Sequence, residues 1–185
     1  MKRQLPAALG LILAMFVPLA AAVAAPAAGA LASHGPAPPI NDNFSGRIVI
    51  SSSLPQSDPA RDTLDATEEG TDPNFTCASN NQGYRTVWYE FTPTVTRYLG
   101  ADTLGSEYDT VLAIWTGSPG SFSVVACNDD VSFGVLQSSV QVSVAALTTY
   151  YIEVASFSDN EPGQTLTLNI DYVTFKYYLP AVVNN

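Results

Sequence analysis

Hydrophobic and polar residues alternate with a period of two through much of the chain. In residues 86–92, TVWYEFT, Val87, Tyr89 and Phe91 fall on one face and Trp88 and Glu90 on the other. In residues 138–145, SSVQVSVA, Val140, Val142 and Val144 alternate with Gln141 and Ser143. In residues 164–172, QTLTLNIDY, Leu166, Leu168 and Ile170 share a face. A two-residue period sends successive side chains to opposite sides, so each run predicts a β-strand with a buried face. Further strands are predicted over 47–51, 97–103, 109–116, 122–127 and 149–155, where β-branched and aromatic residues recur. Residues 52–65 are polar, hold Pro55 and Pro59, and read as a loop; residues 66–73 read as an acidic turn. About eight or nine short strands with Gly, Pro and Asn between them predict an all-β sandwich or barrel. The single polar face of several strands fits antiparallel sheets.

The densest chemistry lies in one predicted hairpin. Residues 109–116 and 122–127 are its strands, Ser118-Pro119-Gly120-Ser121 its turn, and Asn128-Asp129-Asp130 follows it. Trp115 and Cys127 belong to the same stretch.

The N-terminal part has a different pattern. Lys2 and Arg3 precede an uncharged stretch, residues 5–25, rich in Ala, Leu and Val. Ala22-Val23-Ala24 and Ala30-Leu31-Ala32 offer small-residue cleavage sites, so residues 1–32 read as a secretory signal peptide cut after residue 24 or 32. Residues 33–40, SHGPAPPI, are a proline-rich spacer. Residues 41–172 form one β-sandwich domain, and residues 173–185, VTFKYYLPAVVNN, an apolar edge strand or tail.

Charge and cysteine content narrow the function. Removing Lys2 and Arg3 from seven basic residues leaves five against 17 acidic ones, a net −12. Such a surface repels phosphate backbones, which argues against nucleic acid as a partner. Membrane contact is expected only through the signal peptide during export. In an exported chain the two cysteines, Cys77 and Cys127, predict a disulfide. The expected location is secreted or on the cell surface.

Catalytic chemistry has little to work with. His34, the single histidine, sits in the spacer, and Lys176 is the one lysine outside the signal peptide. A positioned base for a serine or cysteine nucleophile is therefore missing from the predicted sandwich. Among 17 acids a carboxylate pair of the glycosidase type is open by count, which keeps a small secreted hydrolase as an alternative.

Oxygen ligands gather in two places that suit Ca2+, a hard cation. One is Asn41, Asp42 and Asn43 with Glu68 and Glu69; the other is Asp109 with Asn128, Asp129 and Asp130. The competing reading of Asn128-Asp129-Asp130 is a turn, because Asn and Asp bond their own backbone there. Trp88, Trp115, Tyr84, Tyr98 and Tyr108 lie on or beside strands. On a solvent face they would stack on sugars or side chains; filling the sandwich core is the expectation for Trp88 and Trp115.

Several motifs stand in a telling order: Asn41-Asp42-Asn43-Phe44, Ala66-Thr67-Glu68-Glu69-Gly70, Val87-Trp88-Tyr89-Glu90-Phe91-Thr92, Asp109 to Gly117 (DTVLAIWTG), Cys127-Asn128-Asp129-Asp130 and Thr149-Tyr150-Tyr151-Ile152-Glu153-Val154. This set resembles a bacterial secreted β-sandwich family related to the pre-peptidase C-terminal domains. The resemblance implies a jelly-roll-like sandwich of two antiparallel sheets that acts as an accessory, binding or structural module and not as a catalyst. Related domains of bacterial collagenases bind collagen and calcium, through an Asn-rich acidic start and an Asp just before an aromatic strand. Asn41-Asp42-Asn43 matches the first part, whereas Val87 stands where the Asp is required. The ending Tyr177-Tyr178-Leu179-Pro180-Ala181-Val182-Val183 resembles a Tyr-Leu-Pro-x-Val ending of exported proteins in some filamentous bacteria, where it acts in sorting or attachment.

The combined expectation is a secreted, non-catalytic module with a structural or binding role, its partner an extracellular protein, a carbohydrate or further copies of itself. Self-assembly would run through the terminal segment, with Phe175, Tyr177, Tyr178, Leu179, Val182 and Val183 as contact residues. A calcium-stabilised module that binds carbohydrate or protein is the nearest alternative.

Overall fold

A computed structural model of the protein describes residues 37–160 and 164–173. The predicted signal peptide, His34, Lys176, and the contact residues Phe175, Tyr177, Tyr178, Leu179, Val182 and Val183 lie outside the described residues.

Among the described residues nine strands follow a short 3-10 turn, Phe44–Gly46: β1 Ile48–Ile50, β2 Gln56–Asp62, β3 Tyr84–Phe91, β4 Arg97–Asp102, β5 Thr110–Ser118, β6 Ser121–Asn128, β7 Ser139–Val144, β8 Tyr150–Ser156 and β9 Thr165–Tyr172. They form two sheets, in the orders β1-β3-β8-β5-β6 and β2-β9-β4-β7. All pairings are antiparallel except β1 with β3. That exception follows from connectivity: the chain leaves β1, crosses to the other sheet as β2, and returns as β3, and parallel neighbours require such a crossover.

The central core lies between the sheets. Val87, Tyr89 and Phe91 of β3, Leu112 and Ile114 of β5, and Ile152 and Val154 of β8 face Leu99, Val140, Val144, Leu166, Leu168 and Ile170 of the second sheet. These are the inward positions that the two-residue period marks.

Residues 52–65 are a correction to the sequence reading, because a seven-residue strand, β2, runs through the expected loop. It pairs with β9, Asp58 opposite Leu168 and Arg61 opposite Leu166, and a bulge between Asp58 and Arg61 takes up Pro59 and the left-handed Ala60 (φ 58°). A proline lacks an amide donor, so it is tolerated here because β2 is an edge strand with one side unpaired within the sheet.

The outer face of the five-stranded sheet is also buried. Residues between β2 and β3 fold over it and deliver Phe75 and Ala78 onto Trp88, Val111, Ala113, Trp115 and Ala155. Phe122 stacks on Trp88 with ring centroids 5.2 Å apart, and Phe44 meets Trp88 and Tyr151 edge-on at 5.2 and 4.9 Å. Gly83 lets the cover enter β3: a Cβ there would collide with the Phe75 ring and the Ala155 methyl. Cys77 in the cover is bridged to Cys127 on β6, with Cα atoms 5.6 Å apart. Trp88 and Trp115 are thus buried, but in a second core under this cover and not between the sheets. Tyr108 is buried, Tyr84 is half-buried, and Tyr98 is exposed.

Replacing Cys77 and Cys127 together by Ser should remove the constraint on a 50-residue loop and lower stability by about 4 kcal/mol in the chain-entropy account. The denaturant midpoint should fall to match that of the reduced wild-type protein.

Candidate functional site

The β5–β6 hairpin decides where the acids go. Antiparallel pairing sets the start of β5 beside the end of β6, Leu112 opposite Asn128. Asp109, just before β5, therefore meets Asp129 and Asp130, just after β6. One carboxylate oxygen from each lies within 4.8 Å of the others. Among the described residues this is the one group of three Asp, Glu, His or Cys side chains that converges so closely. Burial, and then the neighbouring Asp130, push the Asp129 carboxyl above the usual range. The arrangement suits a divalent cation, which would relieve that repulsion and take carboxylate oxygens.

The loop after the acids is anchored by a buried hydroxyl network. Thr103 Oγ1 and Thr110 Oγ1 are 2.6 Å apart, and the Ser138 amide donates to Thr103 Oγ1 at 2.8 Å. The Ser138 hydroxyl lies 2.6 Å from the Asp129 carbonyl and 2.5 Å from that of Thr110. Asn128 accepts from the Ser139 amide at 2.8 Å and donates to the Asp130 carbonyl at 3.1 Å. The turn chemistry expected of Asn128 is present, and it coexists with the converged acids. The loop presents Phe133 fully to solvent.

The first acidic start has a different environment. Both Asp42 oxygens accept from Thr67, at 2.5 Å from its amide and 2.9 Å from its hydroxyl. Glu69 accepts from the Phe44 amide at 2.6 Å. Asn41 is fully buried and exchanges backbone and side-chain bonds with Trp88, at 2.9 and 3.2 Å. Asn43 is exposed and precedes the 3-10 turn, its carbonyl accepting from Gly46 at 2.8 Å. These residues tie the start of the domain to the cover and to β3. Glu68, exposed, lines a small polar cleft of about 80 Å³ with Glu69 and Asp72.

Two acids that the sequence reading passed over matter more to the fold. Glu153 on β8 pairs with Trp88 and Ala113 and is fully buried on the covered face. Among the described residues neither of its oxygens accepts a well-formed hydrogen bond, and the Nε1 atoms of Trp88 and Trp115 donate none. Burial, reinforced by the nearby Asp72, holds the Glu153 carboxyl well above the usual range; the Trp115 indole opposes this. Asp72 is itself raised by burial, against bonds from the Thr86 hydroxyl (2.7 Å) and the Glu69 amide (2.9 Å). The signal was available in TYYIEVA: alternation puts Glu153 on the face of Trp88 and Trp115. Its burial could not be read, because only the cover creates it. With no solvent access, Glu153 cannot act on a substrate.

No protein-family model matches the chain. No curated protein matches it. The structure is similar to the crystal structure of the pre-peptidase C-terminal domain of a collagenase from Bacillus anthracis. The identity is 11%, the match covers 69% of this chain and 94% of that chain, and the TM-score is 0.40. It is the kind of domain that the ordered sequence motifs resemble. The likeness is one of fold and extends to no ligand, partner or activity.

Folding raises the Glu153 pKa, so the folded state holds a proton that the unfolded state releases. Its contribution is therefore complete below the usual carboxylate range and is lost as pH rises toward the raised folded value, by up to ~1.4 kcal/mol per pH unit. Glu153→Gln should flatten the decline of melting temperature from about pH 5 upward, leaving a smaller slope of the same sign from Asp72, Glu68 and Asp129, whose carboxyls are also raised.

Proposed function

We propose that this is an exported, non-catalytic β-sandwich module with an extracellular structural or binding role, able to assemble with copies of itself through its C-terminal segment. The observation that carries the reading is the Cys77–Cys127 bridge, which fastens the cover to the sheet. Such bridges persist in oxidising compartments outside the cytosol. The leader-like residues 1–32 and the acidic composition agree with export. Of the aromatic residues that would make a sugar-stacking floor, Trp88, Trp115 and Tyr108 are enclosed and Tyr98 is exposed, which favours a role carried by edges, loops and the outer face of the four-stranded sheet.

The test is the fate and the assembly state of the exported chain. The mature protein should begin at residue 25 or 33, and it should sediment as concentration-dependent oligomers. A version lacking residues 174–185 should stay monomeric. If both remain monomeric at every concentration, assembly through the terminal segment is wrong.

The converged acids favour a second reading, a calcium-stabilised module. Calcium bound by the folded state alone raises its stability with concentration. Millimolar calcium should raise the melting temperature and a chelator reverse the gain, and Asp129→Asn with Asp130→Asn should abolish the response. An identical melt with calcium and with chelator removes this reading.

A further inference from the structure

The two seams of the sandwich differ. On one side β6 and β7, the edge strands of the two sheets, lie against each other. On the other, β1 and β2 leave a groove of about 290 Å³. Ile48, Ile50, Leu168 and Ile170 line it with Tyr89, and the Asp58–Arg61 ion pair stands on one wall. Ile48, Ile50 and Leu54 are only half-buried although they pack on the central core, and Val49 is 70% exposed. β1 has three residues and, among the described residues, pairs on one side alone, so its other edge presents backbone groups without strand partners there.

The chain carries a segment suited to this edge. Residues 174–179, TFKYYL, alternate: Phe175, Tyr177 and Leu179 share one face, and Thr174, Lys176 and Tyr178 the other. Six extended residues span roughly 20 Å, and Pro180 ends the run. Its own groove is awkwardly placed. The chain reaches Val173 between β2 and β4, with the Val173 amide on the β4 side, bonded to the Tyr98 carbonyl at 2.9 Å. The arch of residues 51–55, with Leu54 packed on the core, joins β1 to β2 at the end of the groove nearer Val173, where Gln56 pairs with Ile170. A second copy offers the same groove from its open end.

We propose that the β1–β2 groove binds residues 174–179 of a second copy as an added strand beside β1, with Phe175, Tyr177 and Leu179 directed into the groove. This rests on the self-assembly reading and specifies its acceptor. Backbone pairing supplies affinity and the alternate side chains supply register. A donor segment and an acceptor groove at different places on one chain make a head-to-tail contact, which propagates instead of closing.

The experiment uses the full mature chain. One preparation carries Ile50→Cys, another Tyr177→Cys, and both are checked for an intact Cys77–Cys127 bridge and a wild-type melt. Mixed under mild oxidation, they should form a disulfide between copies at a rate that rises with concentration. A synthetic peptide of residues 174–185 should suppress it. In a chain otherwise wild-type, Phe175→Asp with Leu179→Asp lies outside the nine strands and should raise the concentration for half-association at least tenfold. Association that persists without the cross-link and ignores the Asp changes overturns the groove while self-assembly stands. A chain monomeric at all concentrations overturns both. In a doubly substituted chain, a cross-link that forms within one molecule, independent of concentration, overturns the second copy as occupant.

Discussion

The structure depends on keeping water from the outer face of the five-stranded sheet. An antiparallel sheet ordinarily leaves one face wet, but here β3, β5 and β8 carry apolar residues on both. Trp88, Val111, Ala113, Trp115 and Ala155 point away from the central core and need a lid of their own. The segment between β2 and β3 provides it, through Phe75 and Ala78, and the Cys77–Cys127 bridge prevents it from leaving. A 21-residue irregular cover between Asp62 and Tyr84 loses much backbone freedom on docking. The bridge reduces that loss by restricting the unfolded chain beforehand.

Beneath the same lid sits the least comfortable group in the domain. Glu153 is fully buried beside Trp88, and among the described residues neither of its oxygens accepts a well-formed hydrogen bond. Burial of a carboxylate in such surroundings favours its protonated form. The lid, the bridge and the proton on Glu153 are consequently linked: whatever loosens the cover rehydrates the acid, and ionising the acid opposes the cover. Asn41, Asp42 and Glu69 serve the same construction from the other side, bonding the start of the domain to β3 and to the cover.

With both faces of the five-stranded sheet enclosed, the chemistry left to solvent is at ends, at edges and on the outer face of the four-stranded sheet, where Tyr98 is exposed. The acids Asp109, Asp129 and Asp130 converge at one end because hairpin pairing fixes where β5 starts and β6 stops. The hydroxyl network of Thr103, Thr110 and Ser138 holds the loop that follows. The β1–β2 seam stays open because β1 is only three residues long and β2 is bulged at Pro59. The acids lie outside the two cores, and the seam lies at the margin of the central one.

Much of the fold was legible in the residue pattern. The alternation of Val87, Tyr89 and Phe91, of Val140 and Val144, and of Leu166, Leu168 and Ile170 determined strands and inward faces, because side-chain period in a strand is a local property. The paired cysteines and the converging Asp109, Asp129 and Asp130 were also within reach, since a hairpin is a local structure. β2 was not: its residues, QSDPARD, have no strand pattern, and only the neighbouring β9 makes them pair. Nor could the sequence say that Trp88 and Trp115 lie under a cover, or that Glu153 shares their enclosure. Period two assigns residues to faces. Which face is wet depends on what a distant segment folds against it, and only the tertiary structure decides that.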